Sequence, residues 1–562
     1  MAAELAGALR VSTHTARLLI NRGIKTPEEG QFFIRADLAK LHDPFLITGM
    51  REAVDRVVRA IDRKENIRLF CDYDVDGVTS AAFLTHFFRD LGINVRYYLP
   101  ERMAEGYGLN ADAVKKIRDE GCTLMITADC GITAVSEVKW ANELGLDVII
   151  TDHHQVGAEG LPEAVAVLNP HRPDCNYPYR FLSGVGIVFK LATAIRTALY
   201  EAGWEKERLP NLKRHLDLFA LGTIADVAPL TGENHVLSAH GLAEMTTSAK
   251  PGIVALKEVS GVNGKVTSRT VGFGLGPRLN AAGRLGRADA GFHLLTSTDL
   301  KEALELARAL DATNIERKEI QKETVEEAEY LMGREVDLGR DRVIVLASEN
   351  FHPGVIGIAA ARLVEKYFRP TVLIALNEGV GKGSARSIPA FNIHKAFTEC
   401  AAHLTQFGGH AYAAGLSMDA ERVEDFRRAM NAVGQRILSD EDLIPELSVD
   451  AILDLEHIDR RLYKEIQLLE PFGAVNPTPV FLARGVKVQK LRLIGKEEQH
   501  VRFRAVQGKA GLDAVAFNMA EPFSTIDAEP IDIVYELQIN DWNGQDKLEL
   551  KILDAKVADP SG

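Results

Sequence analysis

Cysteine is scarce in this chain: 5 in 562 residues, an odd number with no Cys-x-x-Cys pair. Neither a disulfide framework nor a cysteine zinc site is expected, and a reducing, cytoplasmic setting is. No run of about 18 apolar residues occurs, so no segment is expected to span a membrane. Met1 to Arg10 lacks a basic stretch leading into an apolar core, so no secretory leader is expected. Positive charge is in short supply too: 66 Lys and Arg against 79 Asp and Glu leave a net charge of −13. That balance argues against nonspecific coating of nucleic acid, though not against a local basic channel. Repeats and low-complexity tracts are absent. What remains is ordinary globular usage, 46% hydrophobic and 26% charged, which excludes a disordered or fibrous protein. At about 150 residues per domain the length allows three or four domains.

The hydrophobic pattern changes period along the chain. Residues 1–50 read as a helical segment, with Thr26-Pro27-Glu28-Glu29 as a helix start. Residues 51–297 alternate strands with helices. Strands are expected at Ile67–Cys71, Asn94–Leu99, Thr123–Ala128 and Asp147–Thr151, with helices over Thr79–Leu91, Ala111–Glu120 and Ala134–Leu144. A βαβαβαβ order implies a mostly parallel sheet covered on both faces. Residues 298–340 lack proline and are dense in Glu, Lys and Ala, which predicts one long helix of roughly 55 Å. It reads as a spacer between two lobes, because a fresh α/β pattern follows over 341–438. Residues 439–474 read as a linker. Five alternating runs in 475–562 predict a small β-barrel of the oligonucleotide-binding (OB) fold.

Carboxylates mark the ends of the predicted strands. Asp72-Tyr-Asp74-Val-Asp76-Gly77 places three acids directly after the first strand. Their mutual repulsion is costly without a cation. An EF-hand loop opens the same way, but its twelfth position is a bidentate Glu, and here that position is Phe83. Oxygen-rich Mg²⁺ or Mn²⁺ chemistry survives that test. Asp129 follows another strand, and Asp152-His153-His154 follows the next, 23 residues on. In a parallel sheet these clusters fall at one carboxyl edge, where ligands bind. Asp226 is an isolated acid in an apolar run. Taken singly, these groups are also compatible with solvated turns, caps or a core histidine. Together they suffice for two cations sharing a bridging acid, an arrangement that activates water and clamps in-line displacement at phosphorus.

Basic elements come later. Gly276-Pro-Arg278-Leu-Asn280-Ala-Ala-Gly-Arg284 is rich in Gly and Arg, and arginine forks match phosphates. Gly381-Lys-Gly-Ser384-Ala-Arg386-Ser387 has the look of a phosphate loop without the spacing of an ATPase. Gly408-Gly409-His410 offers backbone amides and an imidazole. In the barrel region, Arg492, Lys496, His500, Arg502 and Arg504 lie near Phe503, with Trp542 further on. Mixed basic and aromatic groups on a β-surface suit single strands.

The acidic motifs, with Asp226, resemble the four motifs of the DHH phosphoesterases. In order, spacing and length the whole chain is most similar to the branch that degrades single-stranded DNA from its 5′ end. The resemblance implies an α/β DHH catalytic domain, a connecting helix, a second α/β DHH-associated domain and a C-terminal OB barrel. It implies a metal-dependent exodeoxyribonuclease of recombination and repair that releases 5′-mononucleotides with two Mn²⁺ or Mg²⁺ ions. Asp74, Asp76, Asp129, His153 and Asp226 match the family's metal ligands, with Asp129 bridging. Asp72 joins them at a position where the family's pyrophosphatases have no equivalent acid. His154 matches the histidine on the scissile phosphate, with Asp152 orienting a neighbouring histidine. Arg102 matches a phosphate-contacting arginine. Ser384 and Arg386 match the group that holds a 5′-terminal phosphate, and Gly408, Gly409 and His410 a contact to the substrate end. Arg278, Asn280 and Arg284 belong to the loops that face the second domain. The implied partners are single-stranded DNA, a single-strand-binding protein and a RecQ-type helicase. Two alternatives stand beside this reading: an oligoribonucleotide or cyclic-dinucleotide phosphodiesterase, and a noncatalytic DNA-binding replication scaffold. The barrel favours long strands over the first, and the full set of acids favours an enzyme over the second.

Overall fold

The computed structural model describes residues 1–100, 108–285, 289–524, 526, 530–540 and 546–558. Arg102 and Trp542 lie outside the described residues.

The first lobe is built on a five-stranded parallel sheet in the order β2-β1-β3-β4-β5. Its strands are β1 (Ile67–Cys71), β2 (Arg96–Tyr98), β3 (Leu124–Ala128), β4 (Asp147–Thr151) and β5 (Ala166–Leu168). β1 and β3 are buried at every position, as expected of strands covered on both faces. Separate apolar cores fill the two faces. β5 was not anticipated: Ala-Val-Leu is too short a run to be told from a loop by pattern alone.

Helix Leu300–Glu335 is a single element of 36 residues, with Asp299 capping its start through the Glu302 amide. It is more than a solvated spacer. Ala303, Ala307 and Leu310 join the core of the first lobe, while Ala328 and Met332 join that of the second. Its buried stripe changes lobe about midway, which fixes the separation of the two.

The second lobe is a mixed sheet in the order β6-β7-β8-β10-β9. It comprises β6 (Ile344–Ser348), β7 (Thr371–Asn377), β8 (Val380–Arg386), β9 (Gln406–Gly409) and β10 (Ala413–Asp419). Only β6 and β7 are parallel, joined through helix Ile356–Tyr367.

The last sheet runs β11 (Ala451–Ile452), β12 (Phe481–Ile494), β13 (His500–Gln507), β14 (Ala510–Ala516), β16 (Lys547–Val557) and β15 (Ile531–Asn540). A further β12–β15 pairing closes five of these strands into a barrel. The stretch read as a linker carries β11 and helix Arg460–Gln467, whose Leu462 and Ile466 pack into the barrel core. The N-terminal helices pack there too, through Leu5, Leu18, Leu19 and Phe33. Thr26 and Glu29 form a reciprocal cap at the third helix, worth about 1 kcal/mol. Phe33 also stacks on His235 of the first lobe at 3.8 Å, so the chain's start ties barrel to lobe. Among the described residues no helix is long and apolar enough to cross a membrane.

Candidate active site

Three acids step across the carboxyl edge of the first sheet because each follows its strand directly. Asp72 N donates to Ala128 O (3.2 Å), Asp129 N to Thr151 O (2.9 Å) and Asp152 N to Leu168 O (3.1 Å). Each backbone thus continues the ladder one residue past the strand, which points the side chains together beyond the sheet.

The other acids arrive on helix ends. Asp74 caps helix Val75–Asp90, its Oδ1 accepting from Gly77 N at 3.0 Å. Asp76 is the second residue of that helix, and its two oxygens accept from the amides of Gly184 (2.6 Å) and Val185 (2.9 Å). Those amides open helix Gly184–Glu201, so the positive end of a helix dipole faces Asp76. Asp226 closes helix Leu216–Ala225. Close approach demands glycine at two points. A Cβ on Gly184 would lie 2.6 Å from Asp129 Oδ1, and one on Gly222 2.8 Å from Asp76 Oδ1.

The result is a crowd of carboxylates around one imidazole. His153 Nε2 stands 3.1 Å from Asp129 Oδ1 and 3.8 Å from Asp226 Oδ2. Three overlapping sets have ligand atoms within 4.8 Å of one another: Asp72, Asp74 and Asp129; Asp76, His153 and Asp226; Asp129, His153 and His154. Burial, then the neighbouring Asp76 and Asp74, hold the Asp129 and Asp226 carboxyls well above the usual range. Burial and Asp74 do the same to Asp76. Burial pushes His153 down to about 4, so its imidazole is neutral and its lone pair available.

This donor set fits divalent cations. Asp129 Oδ1 and His153 Nε2 are shielded from solvent, face each other and make no hydrogen bond. Leaving such atoms unsatisfied costs roughly 1–3 kcal/mol each. Carboxylates with one neutral histidine are the ligands that Mn²⁺ and Mg²⁺ accept.

His154 is placed differently. Its Nδ1 meets Asp152 Oδ1 at 2.7 Å, and Asp152 Oδ2 is anchored by the Ile132 amide at 2.8 Å. Burial alone would lower its pKa, but Asp152 outweighs it and raises the value to about 9. Burial also opposes ionisation of Asp152, yet His154 and two backbone amides keep its pKa low. Asn169, which the sequence did not single out, braces the pair by donating to His154 O at 2.8 Å.

The basic elements separate into distinct places. Arg278 is engaged away from the acids, donating to Asp311 (2.8 Å), Gly274 O (2.7 Å) and Val259 O (3.2 Å). It ties helix Gly276–Leu285 to the long helix. On the same helix Asn280 accepts from Val75 N at 3.2 Å, steadying the acidic loop. One turn on, Arg284 donates to Gly354 O of the second lobe at 3.2 Å. That turn rises about 6 Å, so one helix links the acids to the second lobe.

There a cleft of about 560 Å³ is lined by Arg284, Gly354, Gly357, Lys382, Ser384 and Arg386, with Gly408 on its rim. Residues 381–386 are no phosphate loop: they belong to β8, and their glycines admit Ile374 and Leu416 against the strand. Arg386 Nη1 donates to Ser384 Oγ (3.3 Å) and Ala385 O (2.8 Å). Burial lowers its pKa, and no carboxylate among the described residues pairs with it. Gly409 and His410 stand at the exposed β9–β10 turn, outside this cleft. In the barrel, Phe503 is a core residue, 3% exposed, while Phe517 beside His500 is 49% exposed. Arg502 is held by Glu549, and Arg504 by Asp513 at 3.2 Å.

Three family models match the chain: the DHH family N-terminal domain over residues 66–223, the DHHA1 domain over 340–435 and the RecJ OB domain over 449–554. A curated relative from Bacillus subtilis, the single-stranded-DNA-specific exonuclease RecJ, is 40% identical over 99% of this chain and 69% of its own. The protein of the same name from Escherichia coli is 34% identical over 95% and 94%. The crystal structure of Thermus thermophilus RecJ with Mn²⁺ superposes with a TM-score of 0.85 at 30% identity, covering 99% of this chain and 78% of that one. A second RecJ crystal structure from that organism holds Mg²⁺.

Proposed function

The chain belongs to the RecJ family of DHH proteins, and from that premise we propose that it hydrolyses single-stranded DNA from the 5′ end to 5′-mononucleotides, in recombination and repair. The observation that carries the reading is the cluster of five carboxylates and His153 at one sheet edge, where Asp129 Oδ1 and His153 Nε2 are buried without a hydrogen bond and suit a cation. Two Mn²⁺ or Mg²⁺ ions, held by Asp72, Asp74, Asp76, Asp129, His153 and Asp226, supply an activated water and charge neutralisation at phosphorus.

The chain's own residues do the rest. Asp129 is the acid that lies in two of the three ligand sets, where it would be shared by two ions. The amides of Gly184 and Val185 hold Asp76 in place against its neighbours' repulsion. His154, kept protonated by Asp152, offers a cationic donor to a phosphoryl oxygen as charge builds there. Asn280 and Arg284 hold the acidic loop and the second lobe in fixed relation. Ser384 and Arg386 take the 5′-terminal phosphate beside the start of helix Ile356–Tyr367, whose amide end favours an anion. Arg102, Gly408, Gly409 and His410 contact the strand near its end in this reading, while Arg278 braces helix Gly276–Leu285 against the long helix.

The division of labour follows the body plan: 51–297 cuts, 298–340 spaces, 341–438 holds the end, and 475–562 holds the strand further along. An enzyme that refuses duplex needs strands opened and kept open, so a RecQ-type helicase and a single-strand-binding protein are its proposed partners. Five free, buried cysteines suit the cytoplasm, where such strands arise. One oligonucleotide tests the reading, labelled at either end and offered as single strand or blunt duplex with Mn²⁺, Mg²⁺ or EDTA. Loss of 5′ label as mononucleotide, from single strand alone and with metal alone, is expected. Cleavage of dinucleotides but not of long strands would instead indicate a small-phosphodiester enzyme.

A further inference from the structure

A second cavity lies on the other side of Arg284. It measures about 910 Å³ and opens between helix Leu300–Glu335 and helix Ile356–Tyr367. Basic side chains dominate its wall: Arg284, Arg317, Lys318, Lys322, Arg362 and Lys366. Three glutamates also line it and are already paired. Glu326 meets Lys322 at 3.6 Å, Glu329 meets Lys366 at 2.6 Å, and Glu365 meets Arg362 at 2.9 Å. Arg317 and Lys318 pair with no carboxylate among the described residues.

Arg317 is the informative group. It sits on the buried stripe of the long helix, at the spacing of Leu310, Asn314, Thr324 and Ala328, and is 8% exposed. Its partners are neutral amides: Nη1 donates to Gln321 Oε1 at 2.8 Å, and Nη2 to Asn314 Oδ1 at 2.9 Å. Nε is shielded from solvent and makes no hydrogen bond. Burial depresses its proton affinity, with no carboxylate to offset the loss. A buried charge held only by neutral groups is costly, because charges leave water cheaply only when paired. Nearby, Phe273 projects from the π-helical turn Val271–Leu275, is 75% exposed and lines the same cavity. The Arg269 guanidinium lies 5.4 Å from the centre of its ring.

We propose that this cavity is a binding site for a phosphate monoester, the 5′-mononucleotide released at the acid cluster. Arg317 and Lys318 take the phosphate, and Phe273 offers a ring face to the base. Arg284 lines both this cavity and the 5′-phosphate cleft, so a leaving nucleotide keeps a guanidinium beside it between the two. Naming the ligand as product rests on the exonuclease reading above; the phosphate site itself does not.

The test uses full-length, metal-free protein titrated calorimetrically with 5′-dAMP and, separately, with inorganic phosphate. Wild type is expected to bind two dAMP per chain, and Arg386→Ala to keep one. Adding Arg317→Gln should weaken that remaining site by about tenfold or more, and Arg317→Lys should restore part of it. Lys318→Glu, on the exposed rim, should weaken it several-fold, which decides the matter if Arg317→Gln does not fold. Phe273→Ala should weaken dAMP and leave inorganic phosphate unchanged. Loss of all dAMP binding in Arg386→Ala, or indifference to both Arg317 and Lys318, would overturn the site. Displacement of the Arg317-dependent dAMP by a 5′-hydroxyl oligothymidylate would overturn its assignment to product. No cleavage is involved, so an enzyme inactive on DNA would fail the exonuclease reading and leave this result standing.

Discussion

The two lobes carry opposite electrostatic debts. At the edge of the first sheet Asp72, Asp74, Asp76, Asp129 and Asp226 crowd together around His153 and His154. In the second lobe and along the seam, Arg386 and Arg317 are buried and pair with no carboxylate among the described residues. A protein selected for stability alone would have paired these groups with each other. Keeping them apart leaves one site suited to cations and, in the function proposed, another suited to phosphates. In that proposal a DNA end with its metal ions would supply both. The long helix makes this possible: its buried stripe belongs to one core at its start and to the other at its end, which keeps the charges from collapsing together.

Four substitutions or conditions break or sharpen that contrast. Asp129→Ala removes the acid shared by two ligand sets and should cost about a thousandfold or more in cleavage. The metal-free protein should at the same time melt higher, because a buried, repelled carboxylate is gone. A variant with a tenth of normal activity would mean that the acids are structural. Asp152→Asn leaves every ligand in place but unhooks His154, and a loss of about 10–100-fold is expected. Its rate profile should also lose its alkaline side at lower pH, since the carboxylate that raises His154 to about 9 is gone. An unchanged profile would remove His154 from the chemistry.

On the basic side the effect is smaller. Arg386→Ala should reduce the preference for a 5′-phosphate over a 5′-hydroxyl end by about tenfold. Equal preference before and after would detach the second lobe from end recognition.

Smallest is the effect of pH on the metal-free fold. Asp76, Asp129 and Asp226 have folded pKa values above their unfolded ones, so the folded state holds more protons and stability falls as pH rises. His154 adds to this: its contribution is complete below about 6.5 and fades through about 9. His153, lowered to about 4, acts in the opposite sense but only below about 6.5. Between pH 6.5 and 9 Asp226 and His154, both raised to about 9, therefore pull one way, with Asp76 joining them up to about 7. The melting temperature should drop by a few degrees across that window without metal, and the drop should flatten with Mn²⁺. A rise would refute the claim of crowded acids.

Most of the acidic site was legible because it is local. Strand-then-acid occurs at Cys71-Asp72, Ala128-Asp129 and Thr151-Asp152, and a parallel sheet delivers such residues to one edge. Asp226 stood out only as an isolated acid in an apolar run, and the resemblance gave it a metal role, since an acid ending a helix has many ordinary uses. The amides of Gly184 and Val185 left only the weak signal of a Ser-Gly helix start. The basic side was harder, because its meaning is tertiary. Gly381 to Arg386 has phosphate-loop composition and is a strand whose glycines make room for Ile374 and Leu416. Arg278 looked like an anion ligand and is spent on Asp311 and two carbonyls. Phe503 alternates inward, so the exposed aromatic is Phe517. Arg317 carried a readable signal, a charge on an apolar stripe, that composition conceals in a helix full of Lys and Glu.

The most direct test of the central claim counts ions. Mn²⁺ binding can be followed by electron paramagnetic resonance of the free ion, for wild type and for Asp129→Asn, with circular dichroism confirming the fold. Two Mn²⁺ per wild-type chain, and loss of at least one with the single oxygen-to-nitrogen change, is the predicted result. Identical stoichiometry and affinity in both proteins would contradict it.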